Sequence, residues 1–488
     1  MEQIDKANRF VLENKEKVNP EYRLNYHFMG EYGWINDPNG FTQFGGEYHL
    51  FHQHNPYEPV WGRMHWGHAV SKDLVKWRYL PIALAPDCPY DQDGCFSGSA
   101  LEIRNKLYLM YTGFALTGPN KKNDYRQTQC LAYSEDGRVF KKIKSNPVIG
   151  VDLIPDEANK RDFRDPRLIQ LDEYYYAFIG SEDRLGNGQV LLYKTKDLLN
   201  WQFVSVAARS DGNMGNTWEC PDFFHLENHD YLLVCPQLMQ ARGNDFQNLH
   251  SSLYFVGQMN FGNGTFNATE SYPLDHGFDF YAPQTLLDKQ GRRILIAWMN
   301  MWGTAETTQT LGHNWAGAMT LPREIISKEG RLYFKPVREI ETYRQERFTL
   351  RDFTFCGEKV LETKGDCYEL QVSFVAREAE EFGLKVRVST KEETVISYDS
   401  AEQVLRFNRD QSGLGPQGER RTGISLISGK LKLRIFVDKS SVEIFINEGE
   451  KVMTGRIYPR QDAIGIKLFA KGECIVESLE KWDLQVTD

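Results

Sequence analysis

The chain has 488 residues, of which 26% are charged and 13% aromatic, and its formal net charge is −9. A chain of this length is too long to fold around one small hydrophobic core, so two domains are predicted. Because no basic block interleaves with aromatic residues, we expect neither nucleic acid nor an anionic membrane surface as a partner. No apolar run is long enough to span a bilayer, which excludes a helical membrane protein.

The N-terminus predicts a short charged helix with Ile4, Ala7, Phe10 and Val11 on one face. It contains no apolar signal segment, so a cytoplasmic protein is expected. The eight cysteines lack metal-ligand spacing, and in such a protein they are expected to be free thiols.

Three short stretches each place an acid close to a proline. They are Asn36-Asp37-Pro38-Asn39-Gly40, Arg164-Asp165-Pro166 and Trp218-Glu219-Cys220-Pro221-Asp222. The Pro-Asn-Gly sequence predicts a sharp turn that holds the Asp37 carboxylate at a corner. One such stretch is typical of an ordinary hairpin. Three of them, far apart in the chain, indicate one site assembled from distant segments.

Strand-like apolar runs recur about every 60 residues, at 48–51, 107–111, 174–179, 231–234 and 294–298. A second marker, an Asp-centred or acidic turn followed by an aromatic residue, comes after the first three runs, at 71–77, 134–140 and 195–201. Five units of short strands predict an all-β domain, a five-bladed β-propeller over residues 1–335 that includes the N-terminal helix. A sandwich of this length would not explain a fixed period.

Each unit places a polar residue just before its apolar run or at the start of it. These residues are Asp37, Ser97, Asp165, Glu219 and Asp279. Equivalent positions in a propeller lie on the innermost strands, around the central axis. We therefore expect the five positions to converge on one funnel.

From about residue 341 the pattern changes to alternating apolar and polar residues, as at Leu431, Leu433, Ile435 and Val437. A period of two predicts a separate antiparallel β-sandwich over residues 345–488. Because this part shows no clustered acids or metal ligands, its expected role is packing or carbohydrate contact.

Paired carboxylates are suited to glycoside hydrolysis, in which one is ionised and the other donates a proton to the leaving oxygen. Glu219, between Trp218 and Cys220, is the candidate proton donor. Asp37, among amide donors, and Asp165, beside Arg164, are expected to stay ionised.

Sugars are bound by aromatic faces and short polar groups. The substrate-binding candidates are Trp34, Asn36, Gln53, Trp61, Phe96, Ser97, Arg164, Tyr281 and Trp298. A surface salt bridge is the alternative role for Arg164. A phosphate on the substrate would require cations at the rim. The loop cations that could supply them are Lys121, Lys122, Arg126, Arg184 and Arg242.

Five stretches, in order, resemble glycoside hydrolase family 32: residues 34–40, 96–100, 163–166, 218–222 and 279–284. Residues 436–445 resemble the β-sandwich of that family, which includes invertases, sucrose-6-phosphate hydrolases and fructanases. The resemblance implies a propeller followed by a sandwich, with Asp37 as nucleophile, Glu219 as acid/base and Asp165 as transition-state stabiliser. It further implies a retaining reaction through a covalent fructosyl-enzyme, without a metal or organic cofactor.

Two other interpretations remain open from the sequence. One is a non-catalytic sugar-binding propeller. The other is an inverting hydrolase of arabinan or xylan on a related propeller, which needs more widely spaced carboxylates. Within the family, sucrose is the favoured substrate and sucrose 6-phosphate is close behind it. A funnel at a propeller axis favours attack on terminal units of short sugars. The sequence does not define an oligomeric state.

Overall fold

The structure is a computed structural model that describes residues 2–486. Met1, Thr487 and Asp488, at the ends of the two predicted domains, lie outside the described residues. The helical segments are α1 (Glu2–Asn14), α2 (Thr307–Thr310) and the 3₁₀ turns Lys15–Lys17, Val151–Leu153, Arg338–Tyr343 and Asn447–Gly449. Within residues 2–486, no helix has the length and apolar character required to cross a membrane.

Strands β1–β21 form five sheets that follow one another along the chain. Blade 1 contains β1 (Gly33–Phe44), β2 (Glu47–Asn55), β3 (His65–Ser71) and β4 (Trp77–Leu84). Blade 2 contains β5 (Gly94–Ile103), β6 (Lys106–Leu116), β7 (Tyr125–Ser134) and β8 (Lys141–Lys142). Blade 3 contains β9 (Ala158–Leu171), β10 (Tyr174–Asp183), β11 (Gly188–Thr195) and β12 (Gln202–Arg209).

Blade 4 contains β13 (Trp218–Leu226), β14 (His229–Pro236), β15 (Leu253–Asn260) and β16 (Thr265–Pro273). Blade 5 contains β17 (Tyr281–Leu287), β18 (Arg293–Trp298), β20 (Arg323–Lys328) and β21 (Arg331–Pro336). The short strand β19 (Trp315–Ala316) leaves blade 5 and pairs in parallel with the start of β1. Blade 1 therefore has five strands where the other blades have four, and the extra strand joins the last blade to the first.

The first strands of the blades form a closed ring. β1 contacts β5, β5 contacts β9, β9 contacts β13, β13 contacts β17, and β17 contacts β1. This ring confirms the predicted five-bladed propeller. The recurring apolar runs are the second strands, β2, β6, β10, β14 and β18. Each is apolar because it lies between two strands of its own blade and is covered on its faces.

The second repeated marker is the turn between the third and fourth strands of blades 1–3. Asp73 accepts the backbone N–H groups of Val75 and Lys76 at 3.0 and 2.9 Å. Asp136 and Asp197 accept the equivalent groups two and three residues further on. An aspartate at this point fixes the turn with its own carboxylate, which explains why the marker recurs.

The Asp37 stretch lies inside β1 and does not form the predicted sharp turn. The register of β1 against β2 shifts between Ile35 and Pro38, so Asn36 and Asp37 occupy a β-bulge. A bulge lacks a regular ladder hydrogen bond, and proline has no N–H to donate, so proline is tolerated beside it. The prediction of a turn is wrong because the pairing with β2 was not visible in the local sequence.

The same irregularity recurs in the first strand of every blade. The shifts fall between Phe96 and Gly98 in β5, Arg164 and Arg167 in β9, Glu219 and Asp222 in β13, and Tyr281 and Gln284 in β17. A bulge redirects the side chains on either side of it. The three acid–proline stretches are therefore the sequence mark of three of the five equivalent bulges around the axis.

The C-terminal part contains β22 (Arg344–Lys364), β23 (Tyr368–Val375), β24 (Glu381–Val388), β25 (Glu393–Asp399), β26 (Val404–Gln411), β27 (Glu419–Gly423), β28 (Lys430–Asp438), β29 (Ser441–Ile446), β30 (Lys451–Arg456) and β31 (Gly465–Leu484). The first half of β31 pairs with β24, which continues through β25 and β26 to β27. Its second half pairs with β23, which continues through β28 and β29 to β30. The long strands β22 and β31 thus run through both layers of a β-sandwich.

The alternating residues of the sandwich face inward, as predicted. Leu431, Leu433, Ile435 and Val437 are all buried in one core together with residues of β23 and β24. Their polar neighbours along β28 point away from that core, which is the arrangement that a period of two produces.

Buried charges join the sandwich to the propeller. His27 contacts Asp438 through Nδ1 and Glu443 through Nε2, each at 2.9 Å, and these side chains are fully buried. Arg323 of β20 donates to Glu443 at 2.6 Å and to Asp275 at 2.9 Å. The sandwich therefore does carry clustered acids, contrary to the sequence-based expectation, and they hold the two domains together.

Candidate active site

Three acids lie on the innermost strands of different blades. Asp37 is on β1, Asp165 on β9 and Glu219 on β13, each in a bulge or directly beside one. Ser97 occupies the equivalent bulge of β5. Because these strands surround the axis, the four side chains meet in one cavity.

Asp37 is buried and is held by two donors. The Ser97 hydroxyl donates to Oδ2 at 2.6 Å and the Asn36 amide donates to Oδ1 at 2.9 Å. The Trp34 indole in turn donates to the side-chain Oδ1 of Asn36 at 2.8 Å, which fixes the orientation of that amide. These contacts leave little rotational freedom to the Asp37 carboxylate.

Asp165 and Cys220 adopt left-handed backbone conformations, with φ of 62° and 47°. Such conformations are unfavourable for residues other than glycine and persist only where the surroundings enforce them. Here the Asp165 N–H donates to Thr112 Oγ1 at 3.0 Å, and the Cys220 N–H donates to Asp165 Oδ2 at 3.0 Å. The Cys220 thiol lies 3.6 Å from Asp165 Oδ2 and 3.7 Å from Asp37 Oδ2, between the two carboxylates.

Glu219 contacts a cation and a phenol. The Arg164 Nε donates to Glu219 Oε1 at 3.1 Å, and the Tyr281 hydroxyl lies 2.6 Å from Oε2. Arg164 also donates to Asp162 at 2.7 Å and to Gln127 at 3.2 Å. Arg164 is thus a largely buried link between blades 3 and 4, with its side chain 11% exposed, and not a surface salt bridge.

The surroundings raise the pKa of both aspartates that were expected to stay ionised. Burial raises the pKa of Asp165, and the charges of Glu219 and Asp37 add to that effect, although Arg164 opposes it. Burial likewise raises the pKa of Asp37 against the Ser97 and Asn36 hydrogen bonds. Arg164 lowers the pKa of Asp165, as expected of its neighbour, but it makes its direct contacts with Glu219 and Asp162, so burial outweighs it.

The funnel is a cavity of about 490 Å³. The predicted residues that line it are Asn36, Asp37, Gln53, Trp61, Phe96, Ser97, Arg164, Asp165 and Glu219. The exposed Trp61 ring meets Phe96 edge-on at 5.9 Å, so the mouth has an aromatic wall. Gln53 donates to the Cys95 carbonyl oxygen at 3.0 Å, which fixes its amide below that wall.

Three predicted binding residues stand behind the cavity wall. Trp298 is fully buried and packs against Trp34 and Trp302, with ring centroids 5.9 and 4.9 Å apart. Trp34 and Tyr281 are also buried and act on the funnel through their hydrogen bonds to Asn36 and Glu219. The structure gives Trp298 a packing role without contact to the funnel.

Several lining residues were not singled out by the sequence. They are Phe114, Tyr125, Gln127, Asp162, Gln237, His250 and Trp302. Most lie in loops or on second and third strands outside the recurring stretches, so no local signal marked them. Of the five loop cations, Lys121 and Lys122 line the cavity, and Arg126, Arg184 and Arg242 do not.

Asp279, predicted to share the funnel, lies elsewhere. Its carboxylate accepts from Arg409 at 2.6 Å and from the Arg456 N–H at 2.7 Å, both in the sandwich. In blade 5 the bulge holds Ala282, so the funnel receives no acid from that blade. Asp279 precedes β17 and serves the contact between the domains.

A propeller whose axial cavity combines close carboxylates, a proton-donor candidate and an aromatic rim has the composition of a glycoside hydrolase site. Comparison with known proteins agrees. Residues 27–336 match the family model described as "Glycosyl hydrolases family 32 N-terminal domain", and residues 339–483 match "Glycosyl hydrolases family 32 C terminal". The chain belongs to glycosyl hydrolase family 32, which confirms the family predicted from the sequence.

Individual relatives cover almost the whole chain. It is 38% identical to a sucrose-6-phosphate hydrolase of Escherichia coli over 464 residues, 94% of each protein. It is 39% identical to a raffinose invertase of Escherichia coli over 465 residues, again 94% of each. A Bombyx mori β-fructofuranosidase solved with sucrose superimposes with a TM-score of 0.87 at 33% identity, covering 99% of this chain and 98% of the other. The sucrose-6-phosphate hydrolase of Lactobacillus gasseri gives 0.88 at 30% identity, with 98% and 96% covered.

Proposed function

We propose that this chain is a β-fructofuranosidase that releases terminal fructose from sucrose-sized substrates, with sucrose and sucrose 6-phosphate as the leading candidates. The observation that carries the proposal is the placement of Asp37 and Glu219 in one axial cavity of a family 32 fold. The relatives named above are hydrolases of sucrose-type substrates, so neither a non-catalytic sugar-binding propeller nor an inverting hydrolase of arabinan or xylan is favoured.

In the proposed reaction Asp37 is the nucleophile. Its carboxylate attacks the anomeric carbon of the fructosyl unit, and Glu219 protonates the glycosidic oxygen as the bond to the glucosyl group breaks. Glu219 then takes a proton from water, which attacks the same carbon, breaks its ester bond to Asp37 and releases fructose with its original configuration. Ser97 and Asn36 hold Asp37 for attack, and Arg164 and Tyr281 hold Glu219.

Asp165 is proposed to bind fructosyl hydroxyl groups and to strengthen those contacts as positive charge develops on the sugar ring. Its Oδ2 is anchored by the Cys220 N–H, so the carboxylate is positioned before substrate arrives. A preorganised group of this kind favours the transition state over the ground state because it does not reorient during the reaction.

The direct test is incubation with sucrose, with glucose and fructose measured by chromatography and the first fructose anomer by NMR. Equal release of both sugars, with β-fructofuranose appearing first, supports the proposal. A protein that binds sucrose without cleaving it, or that releases the inverted anomer first, contradicts it.

A pH profile follows from the charge states. The reaction needs ionised Asp37, and burial raises the pKa of this group above that of an ordinary aspartate. Activity should therefore be lost, as pH falls, at a higher pH than for an ordinary aspartate, because protonated Asp37 cannot attack the sugar. The acid limb of kcat/KM measures this, and an acid limb at the pH where an ordinary aspartate titrates would contradict the prediction.

The rim cations predict a preference between the two substrates. Lys121 and Lys122 are exposed, line the cavity, and have no ion-pair partner among residues 2–486. A charge-assisted contact is worth about 1.5–3 kcal/mol, so sucrose 6-phosphate should be favoured over sucrose by roughly 10–100-fold in kcat/KM if they bind the phosphate. The double variant Lys121→Met/Lys122→Met should remove that preference and leave sucrose hydrolysis unchanged.

Arg242→Met is the matched control because Arg242 is a loop cation that does not line the cavity. A wild-type ratio near one would identify sucrose itself as the substrate and rule out a phosphate site at these lysines. Inulin cleaved faster than sucrose would contradict both versions of the substrate proposal.

A further inference from the structure

The loop between β14 and β15, residues 237–252, joins the funnel to the sandwich. Near its two ends, Gln237 and His250 line the funnel. Between them the loop reaches β27, the edge strand of one layer of the sandwich. The Met239 N–H donates to the Leu249 carbonyl oxygen at 2.8 Å, so the two arms of the loop are tied together beside His250. A displacement of the loop at the sandwich would therefore move His250.

Two adjacent residues of β27 hold this loop in different ways. Arg420 donates from Nε and Nη2 to Asn248 Oδ1, at 2.9 and 2.7 Å. Its guanidinium lies over the Phe278 ring, 4.5 Å from the centroid, which limits its movement. Arg421 contacts the loop through its backbone, whose N–H and carbonyl oxygen pair with the Gln247 side-chain amide at 3.2 and 2.6 Å. The contact that a substitution can remove is therefore the one between Arg420 and Asn248.

His250 follows Asn248 by two residues and lies on the Glu219 side of the funnel. Its ring meets the Tyr281 ring edge-on at 6.3 Å, and the Tyr281 hydroxyl lies 2.6 Å from Glu219 Oε2. In the proposed reaction Glu219 protonates the glycosidic oxygen, so the leaving group lies next to Glu219. His250 is therefore placed to contact the glucosyl unit of the substrate.

The loop backbone selects one tautomer of this histidine. The Leu238 N–H donates to His250 Nδ1 at 3.3 Å, so in the neutral ring the proton is on Nε2. Burial lowers the pKa of His250, although the charge of Glu219 opposes this, so the ring is neutral at neutral pH. Among residues 2–486, Nε2 has no hydrogen-bond partner. Its N–H is thus available to donate to a sugar hydroxyl.

We propose that Arg420 of the sandwich is a positioning residue for the leaving-group side of the funnel, acting through Asn248 on His250. In this arrangement His250 donates from Nε2 to a hydroxyl of the glucosyl unit. The sandwich then contributes to substrate binding without touching the substrate. The inference rests on the proposed β-fructofuranosidase activity and concerns only the glucosyl side, so the fructosyl contacts are unaffected.

The test compares sucrose with methyl β-fructofuranoside, whose leaving group has no sugar ring. Both substrates form the same fructosyl-enzyme, so only sucrose reports on the glucosyl contact. Arg420→Met and His250→Phe should each raise the KM for sucrose roughly 3–10-fold, the range of one neutral hydrogen bond. Because the contact is present before and during bond cleavage, kcat should be unchanged. Both variants should cleave the methyl fructoside with the wild-type kcat/KM.

Arg421→Met is the matched control on the same strand. Its exposed side chain pairs with Glu419, and its backbone contact to the loop would remain, so the wild-type KM is expected. Arg420→Lys keeps a cation that can reach Asn248 and should raise the KM less than Arg420→Met does. If Arg420→Met does not fold, Asn248→Leu removes the same contact from the loop. Wild-type turnover of the methyl fructoside identifies a folded variant.

A double variant tests whether Arg420 acts through His250. Arg420→Met/His250→Phe should have the sucrose KM of His250→Phe alone, since a contact that is already absent cannot be misplaced. Effects that multiply would overturn the positioning role. A wild-type sucrose KM in folded Arg420→Met, or equal losses on both substrates, would overturn the proposal and leave the hydrolase assignment intact. Wild-type protein that cleaves neither fructoside would instead overturn the proposed function.

Discussion

Replacing Asp37 by asparagine should abolish sucrose hydrolysis, with kcat reduced by about 10⁴-fold or more, as is typical when the nucleophile of a covalent mechanism is removed. Asparagine has nearly the same shape and can still accept the Ser97 hydrogen bond, so the cavity should persist. Initial rates on sucrose, compared with the wild type at the pH optimum, measure the effect. Residual activity within 100-fold of the wild type would contradict the nucleophile assignment.

Glu219→Gln is the matched comparison because it removes the proton donor and leaves the nucleophile. With an aryl fructoside whose leaving group needs no proton, Glu219→Gln should lose much less activity than it does with sucrose. Asp37→Asn should lose equally on both substrates. Equal losses for Glu219→Gln on the two substrates would contradict its role as the acid.

The same Asp37→Asn variant should be no less stable than the wild type. The raised pKa of Asp37 means that the folded chain holds the proton of this carboxyl more tightly than the unfolded chain does. The ionised carboxylate therefore opposes folding at pH values above its raised pKa, and asparagine removes that charge. A Tm at pH 7 equal to or above that of the wild type would separate lost chemistry from lost folding.

The sequence predicted the fold well because the propeller repeats a local pattern. Each second strand is covered on both faces and is therefore an apolar run in the sequence. Each Asp-centred turn is fixed by hydrogen bonds to the carboxylate of its own aspartate, as at Asp73 and Asp197. These causes act within a few residues, so they are visible in the sequence. The extra strand β19 was missed because two residues, Trp315 and Ala316, pair with a strand about 280 positions earlier.

The sequence predicted the three acids of the site, but it predicted fewer of the contacts and lining residues around them. Asp37, Asp165 and Glu219 are each part of a repeated stretch, so their convergence followed from the repeat. The partner of Arg164 was not predictable, because its contact with Glu219 depends on how blade 3 packs against blade 4. Lining residues such as His250 lie in loops that share no pattern with the other blades.

The domain interface shows more clearly that contacts between distant residues cannot be predicted from the local sequence. Within the sandwich strands Asp438 and Glu443 are isolated acids in an alternating pattern, and only the folded chain brings His27 between them. Burial opposes the charge on His27, but the two carboxylates outweigh it and raise the pKa of this imidazole. These contacts join the sandwich to the propeller, and the largest effect on stability is expected here.

Replacing Arg323 by methionine should lower the free energy of unfolding by about 3–5 kcal/mol, the usual result of removing one partner from a buried ion pair. Arg323 is completely buried. Its guanidinium contacts Glu443, Asp275 and the Thr454 hydroxyl at 2.6–2.9 Å. Methionine fills much of the volume but leaves the buried Asp275 carboxylate without its cation and Glu443 with His27 as its remaining ionic contact. Equilibrium unfolding in urea, followed by tryptophan fluorescence, measures the change.

Arg421→Met is the control for that measurement. Arg421 lies on β27, its side chain is 47% exposed, and it pairs with Glu419 at 2.7 Å. A surface pair contributes about 0–1 kcal/mol, so this variant should unfold almost as the wild type does. If Arg323→Met destabilised the protein no more than Arg421→Met, the buried network would not be what joins the two domains. The unfolding of Arg323→Met could instead separate into two transitions, with hydrolysis retained after the first. In that case the propeller stays folded and active when the sandwich has unfolded.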